Sequence, residues 1–323
     1  MKNNSFDELA EVISKKEKIY LFTHIHMDGD ALGSSAALCS ALRKMGRECY
    51  IILEDKIPDN LMFLAHDYCR KDYSELEGAD LSICIDCSEK SRFPKRAELF
   101  AKGKETMCID HHKTTEPTCN YNYVDSSAAA TGQLIYHLIN ALGVEIDKEI
   151  GEAIFAAITT DTGNFQYSNT SRETHEITAA LYDAGIEANK VSVELYEKVR
   201  MEKLMIENRA FETLKTYCDG QVAVAYVTQK MLKETGALME ETENVVQILR
   251  SIAGVEVAVF LKEINSNLVK VSMRSKTKVD VAEIASEFSG GGHSRAAGCT
   301  FNATIEDAHR TLVKKIVDSL ESL

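Results

Sequence analysis

The chain has 323 residues, of which 45% are hydrophobic and 27% charged, and its formal net charge is −13. That length predicts two domains, the absence of a long apolar run excludes a membrane span, and the charged start MKNNSFDELAEVISKKEK, which lacks a signal core, points to the cytoplasm. The acidic balance, with no basic stripe, speaks against a protein that tracks along long DNA or RNA. In chain order, Ser5-Phe6-Asp7-Glu8 is a capping box that opens a helix. KIYLFT is a short β-prone run, and DALGSSAALCSALRKMG has helical periodicity ending at Gly46. ECYIILED, DLSICIDC and ETMCID read as further strands. Helices are expected over SSAAATGQLIYHLINALG, DKEIGEAIFAAITTD and TSRETHEITAALYDAG, the last with Thr170 and Glu173 as a second capping box.

Strands interleaved with helices predict an α/β protein whose N-terminal domain, residues 1–189, has a mostly parallel sheet with helices on both faces. A charged helical linker is expected over 190–212. Strands QVAVAYVT, VEVAVFLKEI and LVKVSMRSK, alternating with helices, then make a smaller α/β domain over 213–323. The nine cysteines form no framework and no zinc-ligand spacing, and even Cys84-x-x-Cys87 reads as reduced thiols on or just past a strand.

Polar groups concentrate after the strands, where open α/β sheets place their binding crevice. His24, Asp28 and Asp30, then Asp86, then Asp110, His111 and His112, then Asp161 are expected to meet there. So many carboxylates in one place repel one another unless cations neutralise them. Oxygen and imidazole ligands without thiolates suit Mg²⁺ or Mn²⁺, and the histidines favour Mn²⁺. The number of ligands suits two ions about 3.5–4 Å apart sharing a carboxylate, a pair that activates water for phosphoester hydrolysis. His26 reads as a supporting residue, Asp110 as a carboxylate that orients an imidazole, and His66, His137 and His175 as structural residues in helices. In the second domain, Gly290-Gly291-Gly292 lets backbone amides approach an anion, with Arg274 and His293 adding donors and Arg295 a weaker candidate.

THIHMDGDALGS, ICIDCSEKSRF, IDHHKT and ITTDTGNF resemble, in order and spacing, the four motifs of the DHH phosphoesterases. VSMRSK followed by FSGGGHSRAAG resembles their DHHA1 domain, so the resemblance spans nearly the whole chain. In length and organisation the chain is similar to the NrnA-type nanoRNases, which also act as 3′-phosphoadenosine 5′-phosphate phosphatases, and to short cyclic-dinucleotide phosphodiesterases. The resemblance implies two divalent ions, most simply Mn²⁺. His24, Asp28 and Asp86 would hold one ion; Asp30, Asp86, His111 and Asp161 would hold the other, with Asp86 bridging. It further implies that His112 sits against the scissile phosphate, that Arg274, Ser275, Gly291, Gly292 and His293 bind substrate, and that the site is a cleft between the domains. Many relatives have a proline where this chain has Met27.

The implied activity is hydrolysis of short oligoribonucleotides, of linear dinucleotides such as pApA, and of 3′-phosphoadenosine 5′-phosphate. Long DNA and membranes are not expected partners, and a homodimer is left open. The alternatives are a cyclic di-AMP phosphodiesterase, a RecJ-like single-strand exonuclease, and a non-catalytic nucleotide-binding regulator. A manganese pyrophosphatase is disfavoured by the GGGH loop.

Overall fold

The computed structural model describes residues 3–87, 89–112, 115 and 118–321 and divides into two compact units, Met1–Lys198 and Val199–Leu323. Among the described residues no helix is long and apolar enough to cross a membrane.

The first unit contains α1 (Phe6–Ser14), β1 (Lys18–Phe22), α2 (Gly29–Lys44), β2 (Glu48–Ile52), β3 (Cys69–Arg70), β4 (Leu81–Ile85), α3 (Ala97–Ala101), β5 (Glu105–Asp110), β6 (Tyr121–Val124), α4 (Thr131–Ala141), α5 (Lys148–Asp161), α6 (Arg172–Asp183) and α7 (Ala188–Tyr196). Its sheet runs β3-β2-β1-β4-β5-β6 and every pairing is parallel. Side-chain alternation covers both faces. Ile19, Leu21, Ile83, Met107 and Ile109 join the core with α2, α4 and α5, whereas Tyr20, Phe22, Cys84 and Cys108 meet Phe93, Leu99 and Phe100 on the other side. β3 and β6 are edge strands of two and four residues, too short to announce themselves in the sequence. All nine cysteines are free thiols.

Two local expectations need correction. The Ser5–Glu8 capping box is present, but the box at α6 is Ser171 with Thr174, one position later than Thr170 with Glu173. His66 lies in a turn with φ +39° rather than in a helix; His137 and His175 are helical, with His137 bonded to Glu173 and His175 stacked on Phe165. Met27 is buried in the core and anchors the turn after β1 by packing.

The second unit contains α8 (Met201–Phe211), β7 (Lys215–Tyr217), β8 (Val222–Val227), α9 (Gln229–Thr235), α10 (Val245–Ser251), β9 (Val257–Asn265), β10 (Leu268–Ser275), α11 (Val281–Glu287), β11 (Gly291–His293), β12 (Ala296–Phe301) and α12 (Ile305–Glu321). Its sheet runs β11-β12-β10-β9-β8-β7, antiparallel except for β8–β9. Val222, Val257, Val259, Val271 and Met273 pack under α11 and α12, and Ala223, Ala225, Ala258 and Phe260 form a second layer with α8 and α10. The segment expected as a linker supplies most of α7 to the first unit and α8 to the second.

Small residues allow α2 and α5 to press together. A Cβ on Gly33 would lie 2.5 Å from the Ala153 carbonyl oxygen and 3.0 Å from the Ala157 nitrogen, and one on Gly29 would lie 2.4 Å from Thr160. Gly33→Val is therefore expected to cost about 1–3 kcal/mol by overpacking, read as a lower urea midpoint; an unchanged midpoint would mean the helices yield without cost.

Candidate metal centre

In the first unit, strand order reverses between β1 and β4, because β2 and β3 extend one edge and β5 and β6 the other. A crevice opens at the carboxyl ends of the strands flanking such a reversal. His24 follows β1, Asp86 follows β4, and Asp110, His111 and His112 end or follow β5. Asp86 has φ +58°, a left-handed conformation that costs a non-glycine residue on the order of 1–3 kcal/mol and marks a constrained position.

The remaining carboxylates come from helices. Asp28 is the N-cap of α2, with Oδ1 accepting from the Ala31 amide at 3.0 Å, and Asp30 lies in the first turn of the same helix. Asp161 is the last residue of α5, at the end of the helix expected over DKEIGEAIFAAITTD. A carboxylate there meets the negative end of the helix dipole, which raises its need for a cation.

These residues converge into three overlapping groups whose ligand atoms lie within 4.8 Å of one another: His24, Asp28 and Asp86; Asp30, His111 and Asp161; and Asp86, His111 and His112. His24 Nε2 is 3.4 Å from Asp86 Oδ2 and 3.8 Å from Asp28 Oδ2. His111 Nε2 is 3.2 Å from Asp161 Oδ2 and 3.6 Å from both Asp30 Oδ2 and Asp86 Oδ1. Asp86 is the residue that touches both halves.

The second nitrogen of each ring decides what faces the carboxylates. His24 Nδ1 donates to the Ile25 carbonyl oxygen at 2.8 Å, and His111 Nδ1 donates to that of Ala128 at 3.2 Å. In the neutral ring Nε2 is then a lone-pair acceptor turned toward other acceptors, an arrangement completed by a cation. Without one, protons take that role. Burial pulls the His111 pKa down, but Asp161, Asp30 and Asp86 outweigh it and push it up to about 10. Burial, then the charges of Asp86 and Asp161, drive Asp30 well above the usual carboxylate range. Burial and Asp86 do the same more mildly for Asp28. The donor set fits divalent cations favouring oxygen and imidazole.

His112 differs. Its Nδ1 and its backbone amide both bond Asp110 Oδ1, at 2.7 and 3.1 Å, while Asp110 Oδ2 accepts from Thr115 Oγ1 at 2.5 Å. Asp110 thereby raises the His112 pKa. Although Nδ1 is 3.6 Å from Asp86, it is committed to Asp110, and Nε2 has no partner among the described residues on a ring that is 46% exposed. His26 stays outside these groups: it is exposed, has φ +54°, and ties its backbone amide to Asp55 Oδ2 at 2.5 Å.

Sequence reading missed Thr131, which begins α4. Its Oγ1 donates to Asp86 Oδ1 at 2.8 Å and its amide to Asp30 Oδ2 at 2.7 Å. The helix expected from Ser126 begins only at Thr131, with Ala130 at the N-cap and no capping side chain, and nothing in the sequence marked that start.

In the second unit, β10 and β12 expose one face as a depression of about 430 Å³ lined by Lys270, Ser272, Arg274, Gly291, Gly298 and Thr300. Arg274 makes no ion pair among the described residues, and burial followed by the neighbouring Arg250 charge lowers its pKa against a smaller opposing effect of Glu243. Such a guanidinium is suited to an anion. Ser275 is buried and bonds the Ser294 carbonyl oxygen at 3.2 Å, so it does not line the depression. Gly292, with φ +144°, and His293 lie on the exposed edge strand β11. Arg295 is occupied by the carbonyl oxygens of Val279 and Thr277.

Residues 18–158 match the DHH family N-terminal domain and residues 219–322 the DHHA1 domain. The chain is 33% identical to the bifunctional oligoribonuclease and PAP phosphatase NrnA of Thermus thermophilus, over 97% of this chain and 93% of that protein. It is 28% identical to the protein of the same description from Bacillus subtilis, over 91% of this chain and 92% of that one. Among solved structures it is similar to an exopolyphosphatase-related protein from Bacteroides fragilis, with a TM-score of 0.88 and 27% identity across 98% of this chain and 95% of the other.

The proton held by His111 to about pH 10 must leave when a cation binds at Nε2. Mn²⁺ titration of the metal-free protein near pH 8 is therefore expected to release at least one proton. Affinity should rise roughly tenfold per pH unit for each proton displaced and stop gaining from His111 above about pH 10. Calorimetry in two buffers of different protonation heat counts the protons, and a count of zero would contradict cation-for-proton exchange.

Proposed function

Because the chain belongs to the DHH family and carries the DHHA1 domain after the DHH domain, we propose that it is a metal-dependent phosphoesterase. Its substrates on this reading are short oligoribonucleotides, linear dinucleotides such as pApA, and 3′-phosphoadenosine 5′-phosphate. The observation that carries the proposal is the pair of histidine–aspartate groups meeting at Asp86, with the Nε2 atoms of both rings turned inward. His24, Asp28 and Asp86 would hold one ion, and Asp30, Asp86, His111 and Asp161 the other, with Mn²⁺ the best match to the donors. Bound cations supply Lewis acidity to an attacking water and to the phosphoryl oxygens.

The chain's own groups account for the rest. His112, whose pKa Asp110 raises through the bond at Nδ1, would in its charged form offer Nε2–H to a non-bridging phosphoryl oxygen or to the leaving ester oxygen. As the water oxygen bonds to phosphorus and the P–O ester bond breaks, the Nε2 proton would pass to the departing alkoxide, and the proton shed by the attacking water would leave to solvent. Asp110 holds the ring's tautomer and orientation throughout.

In the second unit, Arg274 would receive a substrate phosphate, with Gly291, Gly292 and His293 at the neighbouring edge. A few local cations of this kind hold a small nucleotide, while a surface of net charge −13 disfavours a long polyanion. The relatives described as oligoribonuclease and PAP phosphatase support the same substrate size.

Two measurements test this. Asp86→Ala should lower Mn²⁺-dependent turnover by at least about a thousandfold, because both ion sites lose a shared ligand. Turnover compared side by side on pApA, cyclic di-AMP, 3′-phosphoadenosine 5′-phosphate and RNA of increasing length should be fastest on the short linear substrates. Equal rates on long RNA would favour an exonuclease, and binding of pApA without turnover would leave only the regulator.

A further inference from the structure

Asp30 and Asp86 sit on different elements, α2 and the turn after β4, yet the proposed centre needs them in fixed register. Besides His111, Thr131 reaches both. Thr131, fully buried, donates Oγ1–H to Asp86 Oδ1 at 2.8 Å and its amide to Asp30 Oδ2 at 2.7 Å. The next amide, Gly132, donates to Asp30 Oδ1 at 2.9 Å. Asp86 Oδ1 and Asp30 Oδ2 each keep a second lone pair for another interaction, whereas Asp30 Oδ1 also accepts from Ser34 Oγ at 2.9 Å.

The neighbouring backbone extends the same support. Ala128 accepts from His111 Nδ1 at 3.2 Å. Ala129 accepts from Asn169 Nδ2 at 3.0 Å, and that same nitrogen donates to the Asp161 carbonyl oxygen at 3.1 Å. The five residues Ala128 to Gly132 therefore contact His111, Asp30 and Asp86 directly and Asp161 through Asn169. Ala130 caps α4 with no side-chain oxygen, and it is the Asp30 carboxylate that accepts the first amides of the helix.

We propose that Thr131 is a positioning residue that couples the two halves of the metal centre, holding Asp86 and Asp30 in the register that lets one carboxylate serve both ions. This rests on the metal-dependent reading above and adds that loss of one hydroxyl weakens both ions together. Outer partners of ligating groups commonly carry ten- to hundredfold in affinity, and a hydroxyl that orients a shared carboxylate acts on both sites at once.

The test is Mn²⁺ binding to the full chain, followed by calorimetry and by the electron spin resonance signal of free Mn²⁺, for wild type, Thr131→Val, Thr131→Ala and Thr131→Ser. Valine keeps the shape without the hydroxyl, alanine suits a helix start, and serine keeps the donor. Both hydroxyl-free variants are expected to bind each Mn²⁺ about ten- to a hundredfold more weakly, while serine stays within about threefold of wild type. Metal-free thermal unfolding, measured alongside, separates a merely structural role. Wild-type isotherms in the hydroxyl-free variants, a loss confined to one ion, or equal weakening by serine would each overturn the proposal. Failure of the wild type to bind Mn²⁺ would instead overturn the metal reading itself.

Discussion

The mutual repulsion of the carboxylates gathered around Asp86 is the constraint from which the rest of the first unit follows. Asp30 is fully buried and Asp86 nearly so, and with Asp28 and Asp161 they share a space a few ångströms across with two imidazoles. Bringing that much negative charge out of water is favourable only if positive charge accompanies it. The fold supplies part of it. The amino-terminal ends of α2 and α4 both point at these groups, through the Asp28 cap and through the Thr131 and Gly132 amides on Asp30. The elevated proton affinities of His111, Asp28 and Asp30 show how much compensation is still sought.

The sheet determines where this happens. A parallel sheet whose order reverses between β1 and β4 leaves adjacent strand ends without a covering connection, and His24 and Asp86 occupy those ends. Behind them, the close approach of α2, α4 and α5 is possible because Gly29, Gly33 and Gly132 carry no Cβ, which would lie within 2.6 Å of Thr160, Ala153 and Ala157 respectively. The same tight packing that stabilises the domain brings Asp30, on α2, and Asp161, at the end of α5, to the strand ends. Core and site are thus one piece of geometry.

The second unit solves a different electrostatic problem. In a chain of net charge −13, an anionic substrate needs a local attraction, and the open face of β10 and β12 offers Lys270 and Arg274 beside a floor of glycines. The residues on that face alternate with Val271 and Met273, which are buried on the other side, so the strand packs its unit with one set of side chains and shows a polar surface with the other. Ser275 and Arg295, neighbours of these residues in sequence, turn to backbone carbonyls instead.

By itself the sequence determined the α/β class, the principal strands and helices, and the set of histidines and aspartates brought together at the strand ends. Periodicity reports burial directly, and a cluster such as His24-x-x-x-Asp28-x-Asp30 is local enough to be seen. The capping box at α6 was misplaced by one residue because Thr170 and Ser171 have equivalent hydroxyls, and only the path of the chain selects Ser171. The role of Thr131 was invisible for a stronger reason. Its partners Asp86 and Asp30 are 45 and 101 positions away in the chain, and a hydrogen bond is set by distance and direction in space. Which ring nitrogen faces the carboxylates, which side of β10 stays open, and which residue bonds both Asp86 and Asp30 were decided only when the tertiary structure brought those atoms together.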